Sequence, residues 1–458
     1  LAYIGGGSKA WARVFMKDLA LCEELGGEIA LYDIDIPAAR YNQIIGNKIN
    51  EDPNCLSKWN YVVYEKLEDA LKDADVVALS ILPGTLDEMA VDVHAPEKYG
   101  VYQSVGDTVG PGGVMRAMRT VPIYEGFAKA IKEICPDAFV INLTNPMTIC
   151  TKTLYDVFPE IKAIGCCHEV FHAENFLCCV AKEELKISRP DRHEIEAEVC
   201  GINHFTWITK AKYKDKDLFS LLPGFEEKFF ETGYYEEKDD PFDFKSNPFA
   251  YGNKVKMDLF NRFGVLAAAG DRHLVEFMDR NWYLKDKETV EDFLFHLTSV
   301  DYRKKDRQEK IDKTMRLANG TELFNLNKSD EELIHIIKAY LGIKPHKTNA
   351  NILNAGQVPF LPIGSVVETN ILFDKGSITP IPATNPPVIV QNLILRNALN
   401  IEATYLGIKH RDLNEIFEAF ANQPLLSGLT LKDARSLFNE MIMGTSICLD
   451  EYYDLSSI

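Results

Sequence analysis

The sequence predicts an α/β protein, a doubly wound parallel sheet over residues 1–165 followed by a second α+β domain over residues 166–458. Three observations carry that prediction. Short apolar runs alternate with amphipathic stretches through the first 165 residues. The runs at 76–79 and 139–142 read as strands buried on both faces. The first run ends in a glycine triplet that leads straight into a helical pattern.

Taken in order, Ala2-Tyr3-Ile4 is the first strand, stopped by Gly5-Gly6-Gly7. Trp11, Val14, Phe15 and Leu19 then recur at helical spacing. A strand at 29–32 ends at Asp33, and a polar helix carrying Ala38, Tyr41, Ile44 and Ile45 follows. Residues 61–64 read as a further strand, 67–71 as helix, and 76–79 as a buried strand stopped by Pro83-Gly84. A helix at 121–134 precedes the strand at 139–142, which stops at Asn145-Pro146, and 161–164 closes the series. Past residue 165 the rhythm changes. Residues 196–213 alternate as antiparallel strand, 214–260 is irregular, charged and aromatic, 357–389 is a mixed, proline-bearing segment, and helical spacing returns from about 389.

Composition narrows the function. The 458 residues are 46% hydrophobic and 26% charged, ordinary for a globular chain. A net charge of −18 repels phosphate backbones and anionic membranes, and no basic patch offsets it, so no nucleic-acid or membrane partner is expected. No run approaches 18 consecutive apolar residues, and the start is not read as a signal peptide. Ten cysteines without zinc-finger or CxxC spacing suit a reducing cytoplasm, where most act as small buried hydrophobes.

Seven stretches of the chain carry chemistry. Gly5, Gly6, Gly7 and Ser8 lie between a strand and a helix, the context in which glycines bring backbone close to a pyrophosphate resting on a helix N-terminus. Asp33, at the end of the second strand, is placed to accept from ribose hydroxyls, and its charge favours NAD over NADP. An ordinary glycine turn with a surface Asp is the alternative. Gly106–Gly113 packs four glycines and a proline into a predicted loop, followed by Arg116 and Arg119, which could clamp an anion or merely follow a surface turn. Asn145 ends a strand where ligands of such sheets bind, or else caps the next helix. Cys167-His168-Glu169 and Gly201-Ile202-Asn203-His204 offer a thiol and an imidazole that could hold a divalent metal, with zinc or iron preferred on softness; structural roles are the alternative. Asp271, Arg272, His273 and Glu276 add acids, a base and a cation in one short segment.

In this order and spacing, Gly5–Ser8, Gly106–Gly113, Asn142–Pro146, Cys167–Val170, Gly201–His204 and Gly270–Phe277 resemble glycoside hydrolase family 4, the NAD-dependent glycosidases with a Rossmann-like, lactate/malate-dehydrogenase-like fold. The resemblance implies a redox-assisted elimination in place of hydrolysis by two carboxylates. Hydride leaves sugar C3 for NAD⁺, the ketone beside a metal acidifies the C2 proton, a base removes it as C1–O breaks, and water and hydride then return. It further implies that Cys167 and His204 are the metal ligands, with Mn²⁺ as the ion. His168 takes the position of the general acid of phospho-α-glucosidase members, although those carry Asp there. Asp271 is assigned as the C2 base, with His273 as the alternative two residues on. Asn145 and Asn203 bind sugar hydroxyls, and Asp107 orders the glycine loop or reaches the metal.

Cys167-His168-Glu169-Val170 resembles the α-galacturonidase group, whose uronate would need Arg116, Arg119 or Arg272 as its cation. Other family 4 activities (α-glucosidase, α-galactosidase, α-glucuronidase, 6-phosphoglucosidase) are the near alternatives. A plain NAD-dependent 2-hydroxy acid dehydrogenase and an inactive nucleotide sensor are the more distant ones. The resemblance also suggests a homodimer or homotetramer.

Overall fold

The computed structural model describes residues 1–235 and 247–456, so residues 236–246 of the charged, aromatic stretch at 214–260 lie outside the described residues. Its strands are Ala2–Ile4 (β1), Gly27–Tyr32 (β2), Trp59–Tyr64 (β3), Val76–Leu79 (β4), Phe139–Asn142 (β5), Lys162–Gly165 (β6), Ile195–Ile202 (β7), Phe205–Tyr213 (β8), Lys216–Asp217 (β9), Leu266–Ala267 (β10), His346–Leu353 (β11), Val366–Asp374 (β12) and Ser377–Pro380 (β13). The order β3-β2-β1-β4-β5-β6 is parallel throughout and reverses direction of growth between β1 and β4, the doubly wound arrangement expected.

Side-chain alternation explains why both faces are covered. Tyr3, Val76, Ala78 and Ile141 point into one core with Phe15, Leu19 and Ile45. Their neighbours Ala2, Ile4, Val77, Leu79 and Val140 point into another with Tyr124, Ala128 and Leu154. A strand flanked by helices on both sides has no polar face to spare, so its sequence reads as a continuous apolar run.

The second half does not build a separate sheet. β11 runs antiparallel beside β6, pairing Asn351 with Gly165, and β12, β7, β8 and β10 continue the same sheet outward. The hairpin of β7 and β8 is antiparallel, as the alternation at 196–213 predicts. The proline-bearing segment contains β12 and β13. Phe139 stacks on Tyr340 at 4.1 Å, tying β5 to helix Leu333–Tyr340, a contact worth about 1 kcal/mol beyond area burial. The C-terminal helices Val388–His410, Leu413–Ala421 and Leu431–Gly444 form as the spacing predicts.

One element differs. The helix expected from residue 121 begins eleven residues earlier, at Gly110, and runs to Ile134. Pro111 suits its first turn, where a missing N–H costs nothing. A Cβ on Gly112 would stand 2.5 Å from the Gly106 carbonyl oxygen, and one on Gly113 equally close to the Thr108 carbonyl carbon. The glycine cluster is therefore half loop and half helix start, and its glycines let the loop fold onto the helix. All ten cysteines are free, and only Cys55 and Cys448 are not buried. No helix among the described residues is long and apolar enough to cross a membrane.

Candidate active site

A cavity of about 440 Å³ opens beyond the carboxyl ends of β5 and β6. β5 delivers Leu143 and Asn145 to its wall, and β6 delivers Cys166, Cys167 and His168. The hairpin of β7 and β8 pairs Ile202 with Phe205, leaving Asn203 and His204 as a two-residue tip. Gly201 makes that tip possible, because a Cβ there would meet the Phe205 carbonyl oxygen at 2.5 Å. His204 thus reaches the cavity from the far half of the sheet, opposite Cys167.

His204 and His273 face each other with ring centroids 4.0 Å apart, and their nitrogens and an Asp107 oxygen lie within 4.8 Å of one another. Thr108 Oγ1 donates to Asp107 Oδ1 at 2.7 Å and lies 2.9 Å from His204 Nδ1. A hydroxyl has one proton. With that proton on Asp107, Nδ1 of His204 must donate, and Nε2 keeps its lone pair for a ligand. Burial, reinforced by His273, pushes the His204 pKa down to about 3, so the ring is neutral. Asp107 is held well below the usual carboxylate range, the cost of burial being outweighed by Arg116, His273 and His204. Burial raises the Cys167 thiol, with Glu368 and Glu169 adding to it, so a bound cation would have to displace its proton.

Glu169 organises the second half of the wall. Its Oε2 accepts from the Gly270 amide at 2.6 Å, while Oε1 stands 3.7 Å from His168 Nε2 and 3.8 Å from His273 Nε2. Despite burial, His273, His172 and His168 hold this carboxyl far below its ordinary range. His168 stacks on Trp11 at 5.3 Å, which sets it between the first helix and the cavity.

The glycine turn lies beside β2 and β4. A Cβ on Gly5, at φ +101°, would land 1.9 Å from the Ser80 carbonyl oxygen. Gly6 and Gly7 are less tightly confined, with a would-be Cβ 2.9 Å from Leu31 and from Ala38 and Asp33 respectively. The amides of Gly5 and Gly6 donate to the Tyr32 carbonyl, Gly7 to Asp33 Oδ2 at 2.8 Å, and Ser8 to the Gly5 carbonyl. The turn's own amides are thus spent within the protein. Helix Trp11–Ala20, whose Ala10 and Ala12 amides make only long 3.4 Å contacts to Ser8 Oγ, is the end left for an anion.

The cavity does not receive every residue singled out from the sequence. Asp271 is fully buried and outside the wall: its oxygens accept the Val255 and Lys256 amides at 3.1 Å, capping helix Lys254–Phe263. His273, on the opposite side of the same turn, lines the cavity instead. Asn203 is buried beside Cys167 and Glu368 and does not itself line the cavity. Arg119 is paired with Asp92 in the interior, and Arg116 donates to the Asn145 carbonyl at 3.1 Å; neither lines the cavity. Arg272 does line it, but its donors go to His296, Thr298 and Ser104.

Sequence reasoning missed Thr108, Trp11 and Arg303. Arg303 reaches the wall from helix Val300–Asn319, a charged stretch whose pattern reads as a solvated face and carries no signal of a site.

The donor chemistry suits a divalent cation: the neutral His204 imidazole with a free Nε2, the low-lying Asp107 carboxylate and His273 gather within 4.8 Å, while the Cys167 thiol lines the same cavity outside that group. Two buried atoms in the wall, Asn145 Oδ1 and His273 Nδ1, have no hydrogen-bond partner among the described residues, as expected where a ligand completes the set. The glycine turn, Asp33 and the start of helix Trp11–Ala20 suit a dinucleotide.

A doubly wound nucleotide-type fold with an imidazole-rich cavity at its carboxyl edge defines an α/β enzyme. Residues 1–183 match the family 4 glycosyl hydrolases and residues 199–426 the C-terminal domain of that family. The chain belongs to family 4, and it is a glycosidase that hydrolyses O-glycosyl bonds. An alpha-galacturonidase of Thermoanaerobacterium saccharolyticum is 49% identical over 98% of this chain and 96% of its own length. An alpha-galacturonidase of Bacillus subtilis is 45% identical, with 96% of each chain covered. The crystal structure of lplD from Bacillus subtilis superposes with a TM-score of 0.90 at 44% identity, covering 96% of this chain and all of that one. A 6-phospho-alpha-glucosidase from gut microorganisms, solved with NAD and Mn²⁺, shares the fold at 18% identity (TM-score 0.80, 98% of each chain).

Proposed function

We propose that this protein is an α-galacturonidase dependent on NAD and Mn²⁺. The observation that carries this reading is the meeting of Cys167, His168 and Glu169 with His204 and His273 in one cavity, in a chain 45–49% identical to proteins named alpha-galacturonidase. When bound, NAD supplies a reversible hydride acceptor and Mn²⁺ a Lewis acid beside the sugar.

Each residue of the chain then has a task. Cys167 and His204 hold the cation, with Asp107 within reach, and Thr108 keeps His204 in the tautomer that leaves Nε2 free. Asn145, its Oδ1 unpaired, binds a sugar hydroxyl. The C2 proton passes to Nδ1 of His273, while Glu169 beside its Nε2 stabilises the imidazolium formed. This assigns the base to His273 and leaves Asp271 a helix cap. His168, between Trp11 and Glu169, donates a proton toward the glycosidic oxygen. Asp33 orders the nucleotide turn through Gly7 and accepts from the ribose. Residues 1–165 carry the cofactor and contribute Asp107 and Asn145, while residues 166–458 supply the remaining ligands. A cytoplasmic homodimer or homotetramer is the assembly proposed, in keeping with Val388, Ile389 and Leu399 exposed on the long C-terminal helix.

The test is a panel of chromogenic glycosides with purified protein, NAD⁺, Mn²⁺ and reductant. Cleavage of p-nitrophenyl α-galacturonide without net absorbance at 340 nm is the expected result. Cleavage of 6-phosphoglucosides alone would refute the substrate, and stoichiometric NADH release would point to a dehydrogenase.

A further inference from the structure

A galacturonide carries a carboxylate into a cavity that already contains Asp107, Glu169 and Glu331. An anion entering such a site needs a cation not already committed to the protein, since a buried unpaired carboxylate is strongly disfavoured. Arg119 is bound to Asp92 and is not in the wall. Arg116 holds the Asn145 carbonyl. Arg272 is fixed by three acceptors, His296, Thr298 and Ser104.

Arg303 is different. It lines the cavity, and its buried Nε has no hydrogen-bond partner among the described residues. Its guanidinium lies 5.1 Å from the ring centre of Phe249, itself a wall residue, and Arg272 lies over the same ring at 5.4 Å. An aromatic face orients a guanidinium plane without using its N–H donors. Arg303 is therefore held in place with its Nε donor unspent among the described residues, close enough to Asp107 to feel its charge.

We propose that Arg303 is the specificity residue of the site and binds the substrate's carboxylate, with Phe249 as the platform that orients it. This rests on the uronide reading above and adds to it the residue that selects an acid over the neutral sugar. A planar fork suits a carboxylate because two parallel N–H donors match its two oxygens. A hydroxymethyl group at the same position leaves that fork unpaired, so the neutral galactoside is discriminated against.

The test measures binding and turnover separately, with NAD⁺ and Mn²⁺ present throughout. Isothermal titration compares D-galacturonate with D-galactose on the wild type, Arg303→Met and Arg303→Lys. Kinetics compare p-nitrophenyl α-galacturonide with p-nitrophenyl α-galactoside. Arg303→Met is expected to weaken galacturonate about 30-fold or more, leave galactose unchanged, and collapse the ratio of kcat/KM between the two glycosides. Arg303→Lys, which keeps charge and length but not the fork, is expected to lose about tenfold for the acid alone. It decides the matter if the Met variant does not fold. Equal losses for acid and neutral sugar, or undiminished galacturonate binding, would overturn the proposal. A wild type that binds galacturonate through Arg303 but does not cleave the uronide would sink the proposed activity and leave the clamp standing. A wild type that binds no galacturonate would sink both.

Discussion

Thr108 Oγ1 lies 2.9 Å from Nδ1 of His204, although 96 residues separate the two in sequence. The contact joins the glycine loop to the tip of the β7–β8 hairpin and fixes which ring nitrogen faces the cavity. Thr108→Val keeps the shape and removes the acceptor. Mn²⁺ affinity, measured by calorimetric titration, is expected to fall about 10–100-fold, with Thr108→Ser restoring most of it. Unchanged affinity in the valine variant would mean the tautomer is set by something else.

The proposed cation and nucleotide sites use different residues. Cys167→Ser is expected to lose Mn²⁺ binding and turnover while NAD⁺ still titrates. Asp33→Ala removes the acceptor for the Gly7 and Asp35 amides, and is expected to weaken NAD⁺ binding with little change in Mn²⁺ affinity. Loss of both ligands in either variant would contradict the division.

On the proposed mechanism Asp271 serves structure and His273 proton transfer. Asp271→Asn replaces an oxygen that accepts a backbone amide with a donor, and is expected to cost about 1–3 kcal/mol in denaturant unfolding. It should leave exchange of the substrate C2 proton with deuterated solvent readable by NMR. His273→Gln is expected to abolish that exchange with little loss of stability. The reverse pattern would return the base to Asp271.

Stability also carries a pH signature far from the cavity. Glu226, on helix Leu222–Phe229, is buried, with Asn261 and Asp258 as its polar neighbours. Burial pushes its pKa up to about 7 from an ordinary 4.5. A carboxyl raised in the folded state favours folding most below pH 4.5, and that advantage disappears as pH climbs through 7. Glu226→Gln is therefore expected to raise Tm at pH 8 relative to wild type by more than at pH 5. Equal shifts at both pH values would show that Glu226 does not titrate in that range.

The parallel half of the fold was legible because its signals are local. A strand buried on both faces must be a short apolar run, and a turn that passes 1.9 Å from a neighbouring carbonyl at a would-be Cβ must be glycine, so β1, β4, β5 and Gly5 can be read one by one. The second half gave only its element types. That β11 pairs with β6 and fuses both halves into one sheet depends on a contact between Asn351 and Gly165, and nothing in either segment announces it. The early start of helix Gly110–Ile134 was hidden for a related reason, since glycines that serve packing look the same as glycines that serve a loop.

By itself the sequence determined the glycine turn, the thiol and imidazoles that line the cavity, and their family pattern, because each is a short motif with its own chemistry. Tertiary structure alone decided how those motifs are used. Asp271 and His273 differ by two positions, which on a helical turn sends one to a helix cap and the other to the cavity. Arg119 and Arg303 are equally basic in sequence. One is neutralised by Asp92 in the interior, and the other stands over Phe249 with a donor to spare. Charge and residue type are properties of the chain, but whether a charge is free to bind depends on which partners the fold brings within hydrogen-bonding distance.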